Sequence, residues 1–131
     1  MAALMESEGV SAVPQANAAP LAALRKQLAR VVTVFATPVG RTVTAMIASA
    51  DRDSELSKSF RNHFILTRRD EGRVLLEAAI ARGDVRRGAD IEVALDMIYG
   101  ALFYRLLMGH APLNGALVKQ IVKEALRGLA P

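Results

Sequence analysis

The stretch LTRRDEGRVLLEAAIARGDVRRGADIEVALDMIYGALFYRLLMGHAPL, residues 66–113, decides the fold of this chain. Its first half has a helical pattern that ends at Gly83, where a glycine can adopt the left-handed conformation of a helix C-terminus. A charged connector over 84–89 follows, and Asp90 can cap a second helix that ends at Gly109. We therefore predict two helices joined by a short loop.

The second of these helices is apolar on more than one face. Its apolar positions are Ile91, Ala94, Leu95, Ile98, Tyr99, Leu102, Phe103, Leu106 and Leu107. Such a helix must be contacted from two sides. A last helix, capped by Asn114, follows with apolar residues at Leu117, Val118, Ile121, Val122, Ala125, Leu126 and Leu129. The two helices are apolar on more faces than one small domain can cover, which indicates a partner surface.

On the N-terminal side, residues 21–36 form an amphipathic pattern that predicts a helix. Thr37 followed by Pro38 predicts the start of the next helix, because threonine can cap it and proline is tolerated in its first turn. Residues 1–20 are rich in Ala, Pro and polar residues and have no apolar period. We predict a flexible tail over 1–20 and one domain over 21–131.

A third helix is predicted after the polar segment DRD at 51–53, whose side chains offer capping oxygens. Residues 67–73 inside it are almost entirely polar, so the pattern over 53–82 allows either one long helix or two. One long helix is the favoured interpretation.

The composition predicts a single all-α domain. Of 131 residues, 52% are hydrophobic and 5% aromatic, which suits a helical bundle with a buried core. There is no cysteine for disulfides. No uncharged apolar run approaches the roughly 18 residues of a membrane span, and no signal peptide is visible. A cytoplasmic protein without membrane contact is the expectation.

The residues give no indication of catalysis, so we expect a protein that is not an enzyme. His63 and His110 lie in no sequence context typical of a triad or a metal site, and no glycine-rich phosphate loop occurs. We predict no metal and no cofactor. The basic pairs Arg68-Arg69 and Arg86-Arg87 stand beside acidic residues, so a solvated surface is favoured over a phosphate site.

Aromatic residues on the second helix of the quoted stretch suggest either a ligand pocket or packing in the core or an interface. Tyr99 and Phe103 share a face, whereas Met97 and Tyr104 point elsewhere. Gly100 lies between bulky neighbours, where it either allows a close helix crossing, for instance across a dimer axis, or only relieves crowding inside one chain. The candidate pocket residues are Phe35, Met46, Phe60, Phe64, Tyr99 and Phe103.

Four segments carry a family likeness. They are DSEL at 53–56, EAAIARGDVR at 77–86, YGALFYRLL at 99–107 and HAPL at 110–113. Residues 53–129 thereby resemble the C-terminal domain of TetR/AcrR-type repressors. The resemblance implies an effector pocket among the helices. It also implies that helices 90–108 and 114–129 pair with those of a second subunit as a four-helix bundle. The interface would include Leu102, Leu106, Leu117, Ile121 and Ala125.

Two functions follow from the resemblance. The first is the effector-sensing and dimerisation half of a TetR-type regulator. It would act as a homodimer, take a small apolar or aromatic effector, and contact DNA only through a helix-turn-helix, which is not visible in this chain. The alternative is a stand-alone dimerisation protein with no ligand, which could pair with a full-length regulator. An internal cavity would favour the first function and a solid core the second.

Overall fold

The computed structural model describes residues 19–129 and 131, which form six α-helices and no strand. The helices are α1 Pro20–Phe35, α2 Pro38–Ser49, α3 Glu55–Phe60, α4 Leu66–Arg82, α5 Ile91–Met108 and α6 Gly115–Leu129. The all-α prediction is confirmed. Most of the predicted tail, residues 1–18, lies outside the described residues. Within the described part, no single helix is long and apolar enough to cross a membrane; α1 and α2 reach that length only as a pair bent by 86°.

The chain remains helical from α3 to α4, which agrees with one long helix in this region. The two are joined by a π-helical segment, Arg61–Ile65, whose flanking residues keep helical backbone angles. Such segments are rare and are frequently found at functional sites. Phe60 directly precedes the segment and Phe64 lies inside it, and their rings stack 5.5 Å apart at an angle of 13°.

Local capping hydrogen bonds and left-handed glycines explain where the helices begin and end. Backbone N–H groups donate to side-chain oxygens of the N-cap residues Thr37, Ser54, Asp90 and Asn114. Gly83 and Gly109 end α4 and α5 with φ values of 84° and 63°. The prediction that DRD at 51–53 caps the third helix is wrong, because Asp51 instead accepts the N–H of Asp53 within a turn, and Ser54 is the cap.

The core is built around α1, which packs against α2, α4, α5 and α6. Its buried face includes Leu24, Leu28 and Val31, and it ends at Phe35. The ring of Phe35 lies 4.9 Å from that of Phe64, with an edge-to-face geometry that aromatic pairs prefer. Aromatic contacts therefore join the end of α1 to the π-helical segment.

The connector between α4 and α5 is held to the end of α6. Val85 is only 2% exposed, although its neighbours are charged. The backbone N–H of Arg86 donates to the carbonyl of Leu129 at 2.8 Å, and its guanidinium donates to the carbonyl of Gly128. These bonds satisfy carbonyls that the end of a helix leaves without a partner.

Candidate functional site

A cleft of about 140 Å³ opens between α1, the π-helical segment, α4 and α5. It is lined by Val31, Phe64, Ile65, Arg68, Arg69, Asp96, Tyr99, Gly100 and Phe103. Its walls are thus mainly aliphatic and aromatic, with charged groups from α4 and α5. Apolar walls with a few polar groups are typical of small-molecule sites.

The structure brings five of the six candidate pocket residues together. Phe64, Tyr99 and Phe103 line the cleft. Phe35 and Phe60 lie behind them, because the ring of Phe35 is 5.1 Å from Phe103 and 6.1 Å from Phe60. The sixth candidate, Met46, is 50% exposed on α2 and does not belong to this aromatic group. Its helical spacing gave an apolar stripe on α2, but the core contacts only part of that stripe, at Val43 and Ile47.

A buried polar network lies beside the aromatic group. The hydroxyl of Tyr99 is within hydrogen-bonding distance of two acceptors, Gln27 Oε1 at 2.5 Å and the Arg68 carbonyl at 3.1 Å. The Gln27 amide donates to the same carbonyl at 3.0 Å. Burial raises the pKa of Tyr99, so its hydroxyl stays neutral and remains a donor. The network links α1, α4 and α5 through groups that water does not reach.

Sequence reasoning missed Gln27, although a signal for it was present. Gln27 is 0% exposed. It stands three residues after Leu24 and four before Val31, on the buried face of α1. A polar side chain on such a face requires hydrogen-bond partners within the protein. The helical spacing therefore indicates a buried polar contact, but not which residues provide it.

The prediction that Arg68-Arg69 is a solvated surface is wrong for Arg68. This residue is 8% exposed, and its guanidinium lies 2.5 Å from Glu71 Oε1. It also lies 5.3 Å from the centre of the Phe64 ring, a cation–π distance. The acidic neighbour in the sequence is thus a buried ion-pair partner, one helical turn away.

Ion pairs join α4 to α5 at the edge of the cleft. The Arg69 guanidinium donates to Glu92 and Asp96, each at 2.6 Å. Arg73 donates to Glu92 and to Asp70, each at 2.5 Å. The hydrogen bonds from Arg69 and Arg73 hold the pKa of Glu92 below its usual value. The charges that line the cleft are therefore already paired within the chain.

A second candidate surface is the exposed apolar face of α5. Its large side chains are between 47% and 64% exposed and comprise Val93, Met97, Tyr104, Leu107 and Met108. Residues 93, 97, 100, 104 and 107 follow one another at alternating steps of four and three, the spacing of a seam between two helices. We call the exposed side chains of residues 93, 97, 104 and 107 the α5 seam. Sequence reasoning could not identify this face, because the apolar positions of α5 cover more than one side of the helix.

The structure places the five predicted interface residues in three different environments. Leu117, Ile121 and Ala125 line a groove of about 440 Å³ between α5 and α6, beside the α5 seam. Leu106 is half-buried and packs against the core. Leu102 is 2% exposed inside the chain, which leaves it no surface for a partner. Whether a partner covers the groove stays a prediction.

The described residues contain no group of three or more His, Cys, Asp or Glu side chains that could hold a metal ion. His63 is exposed on the π-helical segment. His110 is exposed after α5, with its ring 5.0 Å from that of Tyr104. Neither histidine lines the cleft.

Comparison with known proteins identifies the family. The family model described as "Tetracyclin repressor-like, C-terminal domain" matches residues 20–125. YdeS of Bacillus subtilis (strain 168), described as an uncharacterized HTH-type transcriptional regulator, is 36% identical over 90 residues, which are 69% of this chain and 46% of YdeS. The chain thus spans about half the length of that curated relative.

A solved structure agrees with this match. The crystal structure of the TetR family transcription regulator SCO0332 superposes with a TM-score of 0.73 at 31% sequence identity. The match covers 90% of this chain and 65% of that chain. The resemblance predicted from the sequence is therefore confirmed, and the chain belongs to the tetracycline repressor-like C-terminal domain family.

Proposed function

We propose that this chain is the effector-sensing and dimerisation unit of a TetR-type transcriptional regulator, with a cytoplasmic and non-enzymatic role. The observation that carries the proposal is the cleft, which has aromatic and aliphatic walls and contacts a buried polar network. Concave sites with mainly apolar walls and a few polar groups are where small molecules typically bind. The expected effector is a small apolar or aromatic molecule.

The network gives a bound molecule a route to α1. Tyr99 lines the cleft, and its hydroxyl is bonded to Gln27 on α1. A molecule that contacts Tyr99 would change the stability of that bond, and with it the preferred position of α1 against α4 and α5. An effector can shift a conformational equilibrium only through such a difference in interaction between two states.

The α5 seam and the adjoining groove support the dimer part of the proposal. Exposed apolar patches of this kind mark partner surfaces on proteins that are otherwise well packed. A second copy of the chain is the simplest partner, because a two-fold axis lets each copy cover the seam of the other. In this arrangement α5 and α6 of both copies form a four-helix bundle.

Light scattering coupled to size exclusion, followed by a thermal-shift measurement with toluene and indole, tests the proposal. We expect a mass near twice 14.1 kDa and a higher melting temperature in the presence of at least one compound. Ile121→Glu should yield monomers or insoluble protein, because it places a charge in the groove. Lys119→Glu, an exposed change on the same helix, is the matched control and should remain dimeric.

The same measurements separate the alternative function, a dimerisation protein that takes no ligand and pairs with a full-length regulator. A dimer that no apolar compound stabilises would refute sensing and favour that alternative. A well-folded monomer would refute the dimer in both functions.

A further inference from the structure

Gly100 lies in the middle of α5. A glycine there makes the helix less stable than an alanine would, because glycine loses more backbone entropy on folding. Packing within the chain does not explain this choice. A Cβ atom added at Gly100 would meet nothing within 4 Å. At Gly72, by contrast, an added Cβ would lie 2.9 Å from both Leu95 Cδ2 and the Tyr99 hydroxyl, so packing requires that glycine.

The space beside Gly100 belongs to the cleft. Gly100 is exposed, and it lines the cleft together with Phe64 and Phe103. A larger side chain at this position would have open space around its Cβ atom, next to the border of the cleft. Relative to alanine, the glycine therefore reduces the stability of α5, and it places no side chain at the border of the cleft.

From this position we propose that Gly100 determines the size of the molecule that the cleft accepts, and that this molecule is a compact, uncharged, apolar compound with a single ring. The inference rests on the proposed function, because it assigns a specificity-determining residue to the same cleft. A cavity of similar size, about 150 Å³, with apolar walls is enough to bind benzene. The paired charges of Arg69 and Asp96 leave no excess charge to attract an ion.

A second copy of the chain is the alternative occupant of this space, because Gly100 lies between Met97 and Tyr104, two residues of the α5 seam. Two helices could cross closely at a glycine. The lining residues favour the small molecule. Among the described residues, the α5–α6 groove is bordered by Met97, Ala101 and Tyr104 on α5 but not by Gly100, which borders the cleft instead.

The test compares the full chain with its Gly100→Ala and Gly100→Leu variants and uses toluene as the probe. Binding is followed by NMR titration of the methyl groups of Val31 and Ile65, which border the cleft. Stability is followed by urea unfolding, and mass by light scattering. The matched control is Gly128→Leu, another helical glycine whose added Cβ meets nothing within 4 Å and which does not line the cleft.

We expect toluene to shift both methyl signals in the parent chain and in the control. Gly100→Leu should weaken binding by about tenfold or more, with Gly100→Ala in between, since a tenfold loss corresponds to a modest loss of contact. The urea midpoint should rise in both Gly100 variants, because alanine and leucine favour a helix. Opposite effects on binding and on stability are specific to a residue that keeps a site open.

Three results would overturn the inference. Equal binding by the parent chain and Gly100→Leu would reject Gly100 as the size determinant while leaving the ligand cleft in place. Loss of the dimer in Gly100→Leu, but not in the control, would show that a second copy occupies this space. The absence of methyl shifts in the parent chain would reject both this inference and the cleft as the effector site.

Discussion

Replacing Tyr99 with phenylalanine tests whether the buried network stabilises the fold. The change keeps the ring but removes the hydroxyl, so Gln27 Oε1 loses its donor. Gln27 is 0% exposed, and water cannot replace that donor. Leaving one buried acceptor without a partner costs about 1–3 kcal/mol. We therefore expect Tyr99→Phe to lower the free energy of unfolding by about that amount.

A double-mutant cycle isolates the contribution of the bond itself. Gln27→Leu removes the amide that bonds to the Arg68 carbonyl and to Glu71. Its cost should also be about 1–3 kcal/mol, since Tyr99 keeps only the carbonyl as its acceptor. In the double variant both partners are gone, so the combined cost should fall short of the sum by about 1–2 kcal/mol. The Arg68 carbonyl, which then loses both side-chain donors, still has its place in the backbone bonding of α4.

Urea unfolding monitored by circular dichroism, with all four proteins at one protomer concentration, measures the cycle, because the stability of a dimer depends on concentration. Additive costs, with a coupling energy below about 0.3 kcal/mol, would refute the reasoning. In that case the hydroxyl and the amide would act independently, and the proposed route from the cleft to α1 would lose its physical basis.

Three further predictions concern other parts of the fold. Gly72→Ala should lower stability by about 1–3 kcal/mol, since its Cβ would approach Leu95 Cδ2 at 2.9 Å; an unchanged melting temperature would show that α5 moves away freely. The pKa of Glu92 is lower in the folded chain than in the unfolded chain, where it is about 4.3. Ionised Glu92 therefore stabilises the fold above that pH, and the stabilisation is lost as the pH falls through the folded pKa. Glu92→Gln should therefore reduce the drop in urea midpoint between about pH 6 and pH 3, and an undiminished drop would count against the ion pairs. Val85→Ala should cost about 1–3 kcal/mol by calorimetry and Arg87→Ala less than about 0.5 kcal/mol, whereas equal effects would contradict the anchoring of the connector.

Helix ends were predictable because their signals are local. At Thr37, Asp90 and Asn114 the capping bond joins residues three positions apart, so the sequence contains both partners. The N-cap of α3 was predicted within DRD at 51–53, at least one residue before the observed cap, Ser54. An aspartate can cap a helix or close a turn equally well. Asp51 closes a turn here, and the choice depends on where the following helix packs.

The buried network was not predictable because its partners are far apart in the sequence. Gln27 is 41 residues from Arg68 and 72 from Tyr99, and only the packing of α1 against α4 and α5 brings them together. Arg68 stands among charged neighbours, which favoured a surface position. Tertiary packing rotated that side of α4 inward, where Glu71 pairs with it.

The orientation of α5 was the other feature that its sequence left undetermined. Its apolar residues cover more than one side of the helix, so periodicity cannot distinguish a core face from a partner face. Leu102 was expected at the interface and is buried within the chain, whereas Met97 and Tyr104 are more than 60% exposed. The contacts made by α1, α2, α4 and α6 decide which side remains open.

The π-helical segment at Arg61–Ile65 has a consequence for how this family can change in length. Five residues there occupy a wider turn than an α-helix would use, which is equivalent to one inserted residue in an otherwise regular helix. Deleting a single residue such as Asn62 would restore a regular turn and leave the buried faces on both sides in register. An alignment gap of one residue at this point is therefore compatible with the same fold, whereas a gap in the middle of α4 would rotate every side chain beyond it.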